Sequence, residues 1–351
     1  MAPFFRRPKP YQAGFTLVEI LVGLAIGMLA TIVIMQVLSV FETQKRVTTG
    51  TAEAQTNGNI ALYEIGRELQ LAGYALVPVA NSPLECVGTT FGATGKTGLS
   101  PVSITEGAVS DSITIRYGTA PMGGIPTKIT DPLAGNVATV RSNFGCSNKD
   151  NVLIMNGSIC AMTTASSVSA AGVSPRTIEL ADNTAIAAGA AIQDADIACV
   201  GRWNEITYSV NNGNLERDSS AIVAGIVNIQ AQYGISLAAN DNKVAQWVNA
   251  TGTWFAPTET DRNRIKAIRI AVVARNEKME ATNVTDACSS TSAAAPTGLC
   301  AWDATSASAP IASDAPTIDL SAADANWQKY RYRVFETIIP LRNVIWAWGT
   351  L

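Results

Sequence analysis

The sequence predicts an α+β fold in which one long N-terminal helix precedes an antiparallel, β-rich globular head. Two observations carry this prediction. No proline interrupts the chain between Pro10 and Pro78, so one helix can run from Phe15 to about Ala75. After Pro78, short segments alternate apolar and polar residues with a period of two, which is typical of antiparallel strands with one buried face.

The first part of the predicted helix, residues 15–41, has the length and composition of a membrane span. It contains a single ionisable side chain, Glu19, and it is longer than the roughly 20 residues that cross a bilayer core as a helix. Three basic residues precede it within residues 1–14, which contain no acid. This charge pattern predicts a cytoplasmic N-terminus, with the remainder of the chain exported.

Glu19 makes this segment unusual for a membrane span. A secretory signal would have a shorter apolar core followed by a small-residue cleavage site, and this segment has neither. A plain anchor has no use for a carboxylate, whose insertion near the helix centre costs about 2.5–3.5 kcal/mol. Glu19 therefore either reaches water at the membrane surface, since it lies close to Phe15, or has a functional partner within the apolar environment.

The second part of the predicted helix, residues 42–77, is amphipathic. Charged side chains make it compatible with water: Glu42, Lys45, Arg46, Glu53, Glu64, Arg67 and Glu68. An apolar stripe with spacings of three and four follows one face: Leu62, Ile65, Leu69 and Ala72. This stripe predicts packing against the head. Gly73 is expected to end the helix, and Gly58 is expected to be a soft point within it.

Residues 78–351 are predicted to form the β-rich head. Four segments have the alternation of strands: residues 112–117, 205–210, 267–275 and 330–343. The stretch Asn-Asn-Gly-Asn is a turn signal, so residues 204–217 are a predicted hairpin. The arginines of the last two segments are expected on a solvated or interface face. Stretches rich in Ser, Thr, Ala and Gly at 161–174 and 287–316 are predicted to be exposed loops.

Six cysteines follow the apolar segment, in the part of the chain that the charge pattern places outside the cytoplasm. An even number in an oxidising compartment predicts disulfides, although six cysteines allow about 15 pairings. We expect Cys288 to pair with Cys300, because both flank one short loop. For the other four we expect two pairs, with buried free thiols as the alternative: Cys146–Cys160 and Cys86–Cys199.

The composition excludes several classes of active site. The chain contains no histidine, which rules out triads, dyads and metal sites that need an imidazole. No two cysteines have C-x-x-C spacing, and the acids do not have the spacing of a calcium-binding loop. The net charge of −3 gives no general electrostatic footprint for nucleic acid. We therefore expect no catalytic residue, metal site, cofactor or nucleic-acid partner.

The N-terminal pattern resembles the type IV prepilin signal: a short basic leader, Gly14, then Phe-Thr-Leu-Val-Glu and an apolar helix. The resemblance implies that a membrane peptidase, the prepilin peptidase, cuts between Gly14 and Phe15 on the cytoplasmic side. It then methylates Phe15, the new N-terminal residue, so that residues 1–14 are a cleaved leader. The resemblance also implies that Glu19 pairs with the N-terminal amine of a neighbouring subunit, which supplies the missing partner.

Four downstream segments extend the resemblance to the PilW family of minor pilins: LQLAGY, IVAGIVNIQAQYGI, RIKAIRIAVVAR and YRVFETIIPLRN. The family is similar in plan to the J-type minor pseudopilin of type II secretion, and it implies a pilin-like fold with a β-rich head on a long helix. Many major pilins carry a proline within the mature helix. The lack of one here favours a minor pilin.

The resemblance implies a structural protein that takes part in initiating type IV pilus assembly, at or near the filament tip. Its implied partners are the prepilin peptidase, other minor pilins, the major pilin and a tip adhesin. Its implied location is the inner membrane, and after assembly the pilus at the cell surface. The alternatives are a type II secretion minor pseudopilin and a membrane-tethered periplasmic adhesin or enzyme. The stretch Asn240–Lys243 is too short for a calcium loop, while an irregular calcium site and DNA capture by the strand arginines stay open.

Overall fold

The computed structural model describes residues 14–76, 86, 88–91, 98–157, 159–183, 192–302 and 310–346. The chain divides into two compact units whose boundary lies between Gly50 and Thr51. One long helix, α1, spans Leu17–Leu71. The predicted helix is therefore confirmed. Two short helices, α2 at Glu259–Arg262 and α3 at Arg342–Trp346, belong to the second unit.

Sixteen β-strands lie within the described part of the second unit. In chain order they are β1 Gly88–Phe91, β2 Val102–Thr105, β3 Ser112–Tyr117, β4 Thr127–Lys128, β5 Val137–Thr139, β6 Asn151–Asn156, β7 Ile159–Val168, β8 Thr177–Leu180, β9 Asp196–Gly201, β10 Asn204–Asn211, β11 Asn214–Arg217, β12 Ser220–Ala224, β13 Ile226–Ile235, β14 Gln246–Val248, β15 Ile265–Arg275 and β16 Tyr332–Pro340.

The strands form three sheets, which confirms the predicted α+β class with antiparallel pairing. A five-stranded sheet has the order β12-β11-β10-β3-β2, and a four-stranded sheet has the order β14-β13-β15-β16. A seven-stranded sheet has the order β4-β9-β6-β7-β8-β5, with β1 pairing parallel to β7. The predicted hairpin is β10–β11. Asn212 and Gly213 at its turn both have positive φ, as a two-residue hairpin turn with this twist requires.

The second part of α1 packs against the five-stranded and four-stranded sheets in one shared apolar core. Its buried face recurs every three or four residues, as the helical period requires: Ala54, Gly58, Ala61, Ile65, Leu69 and Ala72. Ile65, Leu69 and Ala72 have no exposed surface, so the predicted stripe is confirmed. The strands contribute apolar side chains such as Ile115 and Ile270 to the same core.

Two groups from distant parts of the chain end α1. Gly73 adopts a φ of +78°, the left-handed conformation that terminates helices, and its N–H donates to the carbonyl oxygen of Arg116 at 2.9 Å. The Asn343 side-chain amide donates to the carbonyl oxygen of Ala72 at 3.1 Å. The Asn343 bond satisfies a carbonyl group at the helix end, where carbonyls lack partners within the helix, and the two bonds together tie the end of α1 to β3 and α3.

One charged residue of α1, Glu68, was predicted to face water but is buried in the structure. Glu68 is 4% exposed. It accepts a hydrogen bond from the Tyr117 hydroxyl at 2.6 Å and pairs with the Arg217 guanidinium at 3.3 Å. Burial, together with the bond to Glu68, raises the pKa of Tyr117. Glu68 therefore fixes the helix to β3 and β11 by polar contacts within the apolar interface.

The four-stranded sheet is covered on both faces, which corrects the prediction of a solvated arginine face on β15. Arg269 of β15 is 2% exposed. The cover is the described part of the segment between β15 and β16, residues 276–302 and 310–331, which we call the cap segment. Its Leu299, Ile318 and Leu320 pack against Val273 of β15 and neighbouring strand residues. The prediction that residues 287–316 form an exposed loop is therefore wrong for those described residues that pack on the sheet.

Arg269 holds the cap segment through contacts on several sides. Its guanidinium lies over the rings of Trp247 and Trp302, at 5.1 and 4.4 Å from the ring centroids. It donates to Oε1 of Gln232 at 2.5 Å and to the carbonyl oxygen of Asp314 at 3.0 Å. Burial lowers the pKa of Arg269 to about 9, and stacking between two aromatic rings offsets part of that desolvation cost.

The three disulfides only partly follow the expected pairing. Cys288 is bonded to Cys300 within the cap segment, with Cα atoms 4.8 Å apart. The expected pairs Cys146–Cys160 and Cys86–Cys199 are wrong. The structure instead bonds Cys86 to Cys160 and Cys146 to Cys199.

The two wrong cysteine pairs and the wrong loop prediction at 161–174 have the same origin, because strand β7 was not predicted. The predicted loop at 161–174 is wrong for residues 161–168, which continue β7. In the β6–β7 hairpin, Cys160 pairs with Met155 near the turn. Cys146 precedes β6 and therefore lies towards the opposite end, where Cys199 of β9 pairs with Val152. A bond from Cys146 to Cys160 would have to span the hairpin.

We predict that Gly58→Ala destabilises the head even though alanine favours helices. A Cβ at position 58 would overlap the ring of Phe335. Overpacking of this kind costs about 1–3 kcal/mol, which exceeds the roughly 1 kcal/mol that alanine contributes in a helix. The free energy of unfolding of the full chain in detergent, followed by near-ultraviolet circular dichroism, should fall.

Gly66→Ala is the matched control, because a Cβ there would lie 3.5 Å from Cδ1 of Ile339, an ordinary contact. This variant should be neutral or more stable by up to about 1 kcal/mol. Phe335→Leu should partly rescue Gly58→Ala by removing the ring. Equal stabilisation by both alanine variants would show that the helix does not approach β16 at Gly58.

We also predict a pH dependence from Asp111, which is 2% exposed. Its carboxylate accepts from the N–H groups of Ala231 at 2.9 Å and Gly107 at 3.3 Å. Burial, opposed in part by these bonds, raises its pKa from 3.8 to about 7. Because the folded-state pKa lies above the unfolded value, the associated stability is fully present below about pH 4 and is lost as pH rises through 7.

The measurement is the free energy of unfolding between pH 4 and 8 for the wild type and for Asp111→Asn, which cannot titrate. Subtracting the two profiles removes the other titrating groups. The difference should decline with rising pH by a few kcal/mol at most, at about 1.4 kcal/mol per pKa unit. A difference that does not change with pH would contradict the assignment to Asp111.

Candidate functional site

The first part of α1 presents an apolar surface that the rest of the described chain does not cover. Its Leu, Ile, Val, Met and Phe side chains from Leu17 to Phe41 are 47–76% exposed. By length and composition, α1 is the one helix among the described residues that is long and apolar enough to cross a membrane. Such a surface is stable only when lipid or another apolar surface covers it.

Gly14 and Phe15 lie just before this helix. Phe15 is 81% exposed. An added Cβ at Gly14 would meet no described atom within 4 Å, and the φ of Gly14 is outside the left-handed region. The described part of the fold therefore does not itself require a glycine at position 14. A requirement for glycine there would come from a partner that acts on this junction.

Thr16 and Glu19 form a capping box at the start of α1. The N–H of Glu19 donates to Oγ1 of Thr16 at 3.3 Å, and the N–H of Thr16 donates to Oε2 of Glu19 at 3.5 Å. This reciprocal pattern satisfies two of the N–H groups that a helix start leaves unpaired. This local role of Glu19 was not predicted from the sequence, although the spacing Thr-x-x-Glu before an apolar run is its signature.

Gly23 and Gly27 are one helical turn apart on the same apolar segment. An added Cβ would meet no described atom within 4 Å at either position. Small residues four apart allow the backbone of a second helix to approach closely in an apolar environment. The segment from Gly14 to Phe41 thus combines an unobstructed glycine, a capped acid and an apolar surface that another helix can approach.

The described residues of the head offer no comparable chemical centre. They contain no group of three or more Cys, Asp or Glu side chains placed to hold a metal ion. The buried charged groups Glu68, Arg269 and Asp111 each have partners within the fold. The N-terminal segment is therefore the candidate functional site.

Comparisons with known proteins give two matches, one at each end of the chain. Residues 9–35 match the model of the prokaryotic N-terminal methylation motif. Residues 203–343 match the model of the type IV pilus-assembly protein W family. The searches of curated proteins and of solved structures returned no match.

The apolar helix, the matched methylation motif and the β-rich head support a pilus-related pilin role. The two family matches together correspond to those of a PilW-type pilin. The motif implies processing by a prepilin peptidase and assembly with other pilins, and the apolar helix supports membrane anchoring before the pilus forms.

The family match covers a particular part of the head. Residues 203–343 include all strands from β10 to β16, which together form the four-stranded sheet and most of the five-stranded sheet. The seven-stranded sheet lies before residue 203 and outside the match. Most of the strands that share a core with α1 lie within the match, while β2 and β3, which also contribute to that core, precede it.

Proposed function

We propose that this protein is a structural minor pilin that helps to initiate assembly of a type IV pilus, at or near the filament tip. The observation that carries the proposal is the exposed apolar part of α1 with a single capped acid, Glu19, near its start. Helices of this kind are covered by lipid in the membrane and by neighbouring helices in a filament.

Processing is the first step of this proposal. The prepilin peptidase cuts between Gly14 and Phe15 on the cytoplasmic side and methylates Phe15, which removes residues 1–14. The open surroundings of Gly14 support this assignment, because the described fold gives the glycine no other purpose. The basic residues of the leader support an orientation with the N-terminus in the cytoplasm and the head in the periplasm.

Glu19 then pairs with the N-terminal amine of a neighbouring subunit. In the single chain the acid carries only hydrogen bonds to Thr16 within the described residues. A carboxylate and an ammonium group attract strongly where water is excluded, and either group alone in that environment is costly. The pair would therefore favour the register in which the two subunits bring acid and amine together.

The proposed position at the tip follows from the size of the head. The second unit extends from Thr51 to Leu351 and includes the seven-stranded sheet in addition to the helix-binding sheets. A filament that stacks subunits along closely packed helices leaves limited space for each head. A large head meets least obstruction at the end, where no subunit lies above it. The match to a pilus-assembly family favours the pilus over a type II secretion system.

We predict that the mature protein begins at methylated Phe15 and that Gly14→Glu blocks processing, because the peptidase needs a small residue before the cut. Mass spectrometry of the membrane form should report an unprocessed chain for this variant. Gly23→Ala is the matched control, since its glycine is equally unobstructed but lies after the junction. Assembled pili that contain the chain with residues 1–14 still attached would disprove the processing site.

We predict that Glu19→Gln is cleaved normally and is stable in the membrane, but fails to join partner pilins. Glutamine keeps the capping box, since it serves at this position as glutamate does, while it removes the charge. Loss of one partner of a buried ion pair costs about 3–5 kcal/mol. Co-purification with partner pilins and a count of surface pili measure the defect.

Thr16→Ala is the complementary variant, because it removes the cap hydroxyl and keeps the charge. It should weaken the first turn by about 1 kcal/mol and assemble far better than Glu19→Gln. If Thr16→Ala instead shows the larger assembly defect, Glu19 acts as a capping residue. Normal co-purification and normal piliation of Glu19→Gln would leave the intersubunit pair without support.

A further inference from the structure

A cavity of about 600 Å³ opens in the head. It lies between the turn of the β10–β11 hairpin, the chain just before β3, the ends of β13, β15 and β16, and the cap segment around Asp324. Its volume is within the range of small-molecule sites, about 300–1,000 Å³. Protein interiors otherwise contain few voids larger than a water molecule, so packing of the cap segment on the sheet does not account for this space.

The wall of the cavity carries a fixed pair of opposite charges. Arg275 donates to Oδ2 of Asp324 at 3.1 Å, and its guanidinium lies over the ring of Tyr330 at 4.5 Å. Oδ1 of Asp324 accepts from the N–H of Asn326 at 2.8 Å. Both groups are held in place before any ligand arrives. Each carboxylate oxygen still has a second lone pair, and the guanidinium has further N–H donors.

The rest of the wall combines polar and apolar groups. Asn211 and Asn212 at the hairpin turn supply amide side chains, and Val227 and Leu320 supply apolar surface. Tyr332 adds an aromatic ring, which its hydroxyl fixes by donating to the carbonyl oxygen of Trp327 at 2.8 Å. The charges of Arg275 and Asp324 cancel, so the site does not select a charged ligand.

We propose that this cavity binds a neutral saccharide of one or two rings. Adjacent hydroxyl groups on a sugar ring both donate and accept hydrogen bonds. They therefore match a wall in which an acceptor, Asp324, lies next to a donor, Arg275. The C–H face of the ring would lie on the apolar wall and Tyr332. This binding activity goes beyond pilus assembly and would give the pilin a ligand at its head.

The test is saturation-transfer difference NMR on the full chain in a sugar-free zwitterionic detergent. The probes are glucose, galactose, mannose, N-acetylglucosamine, maltose, lactose and chitobiose. Ala323→Trp places an indole in the cavity, since Ala323 is part of its wall. Ala322→Trp is the matched control, because Ala322 is exposed and does not line the cavity.

At least one sugar should receive saturation from the wild type and from Ala322→Trp. Its affinity for Ala323→Trp should fall roughly tenfold or more, because the indole occupies the space that the ring needs. The proposal is overturned if the wild type binds none of the seven sugars, or if Ala323→Trp binds as well as the control. Pilus assembly by Ala323→Trp should be normal, which separates this result from a failure of the assembly role.

Discussion

The packing of the α1 stripe on two antiparallel sheets is the interaction on which the rest of the head depends. Strands far apart in sequence, such as β3 and β15, bury their side chains in the same apolar core as the helix. Hydrogen bonds from Gly73 and Asn343 then fix where that helix ends. The family match begins at β10 and extends into α3, so it includes many of the strands in this helix-binding core, whereas the seven-stranded sheet lies outside it.

Three buried charged residues make this packing specific. Glu68 joins the helix to β3 and β11, Asp111 joins the chain before β3 to β13, and Arg269 joins β15 to the cap segment. An apolar stripe can slide or rotate at small cost. A buried charge that loses its partner costs several kcal/mol. In each case the observed register keeps the partner in place, and a shifted register would leave the ionisable group without it.

The sequence predicted those elements whose signal is local. The helical period predicted the buried stripe of α1, and Asn212–Gly213 predicted the β10–β11 turn, because both depend on neighbours in the chain. The exposure of the arginine face of β15 was predicted wrongly, since the alternation of apolar and polar residues defines the two faces of a strand but does not show what covers each face. The cap segment covers the Arg269 face, and its composition rich in Ser, Thr and Ala gave no sign of packing. The partner of Cys146 was predicted wrongly because the pairing register of β6, β7 and β9 cannot be read from the spacing of cysteines in the sequence.

The apolar part of α1 raises the question of what could favour a filament over the membrane. Lipid tails are as apolar as leucine side chains, so moving this helix from lipid into a bundle of helices gains little from the hydrophobic effect. The preference must come from interactions that lipid cannot supply.

Gly23 and Gly27 permit a close approach of backbones, which improves packing. Under the proposed function, the charge of Glu19 supplies the second interaction that favours the filament, because only a neighbouring pilin offers a fixed amine. The capping box needs an acceptor at this position but not a charge, since glutamine also serves. The capping box alone therefore does not explain why a segment this apolar carries an acid.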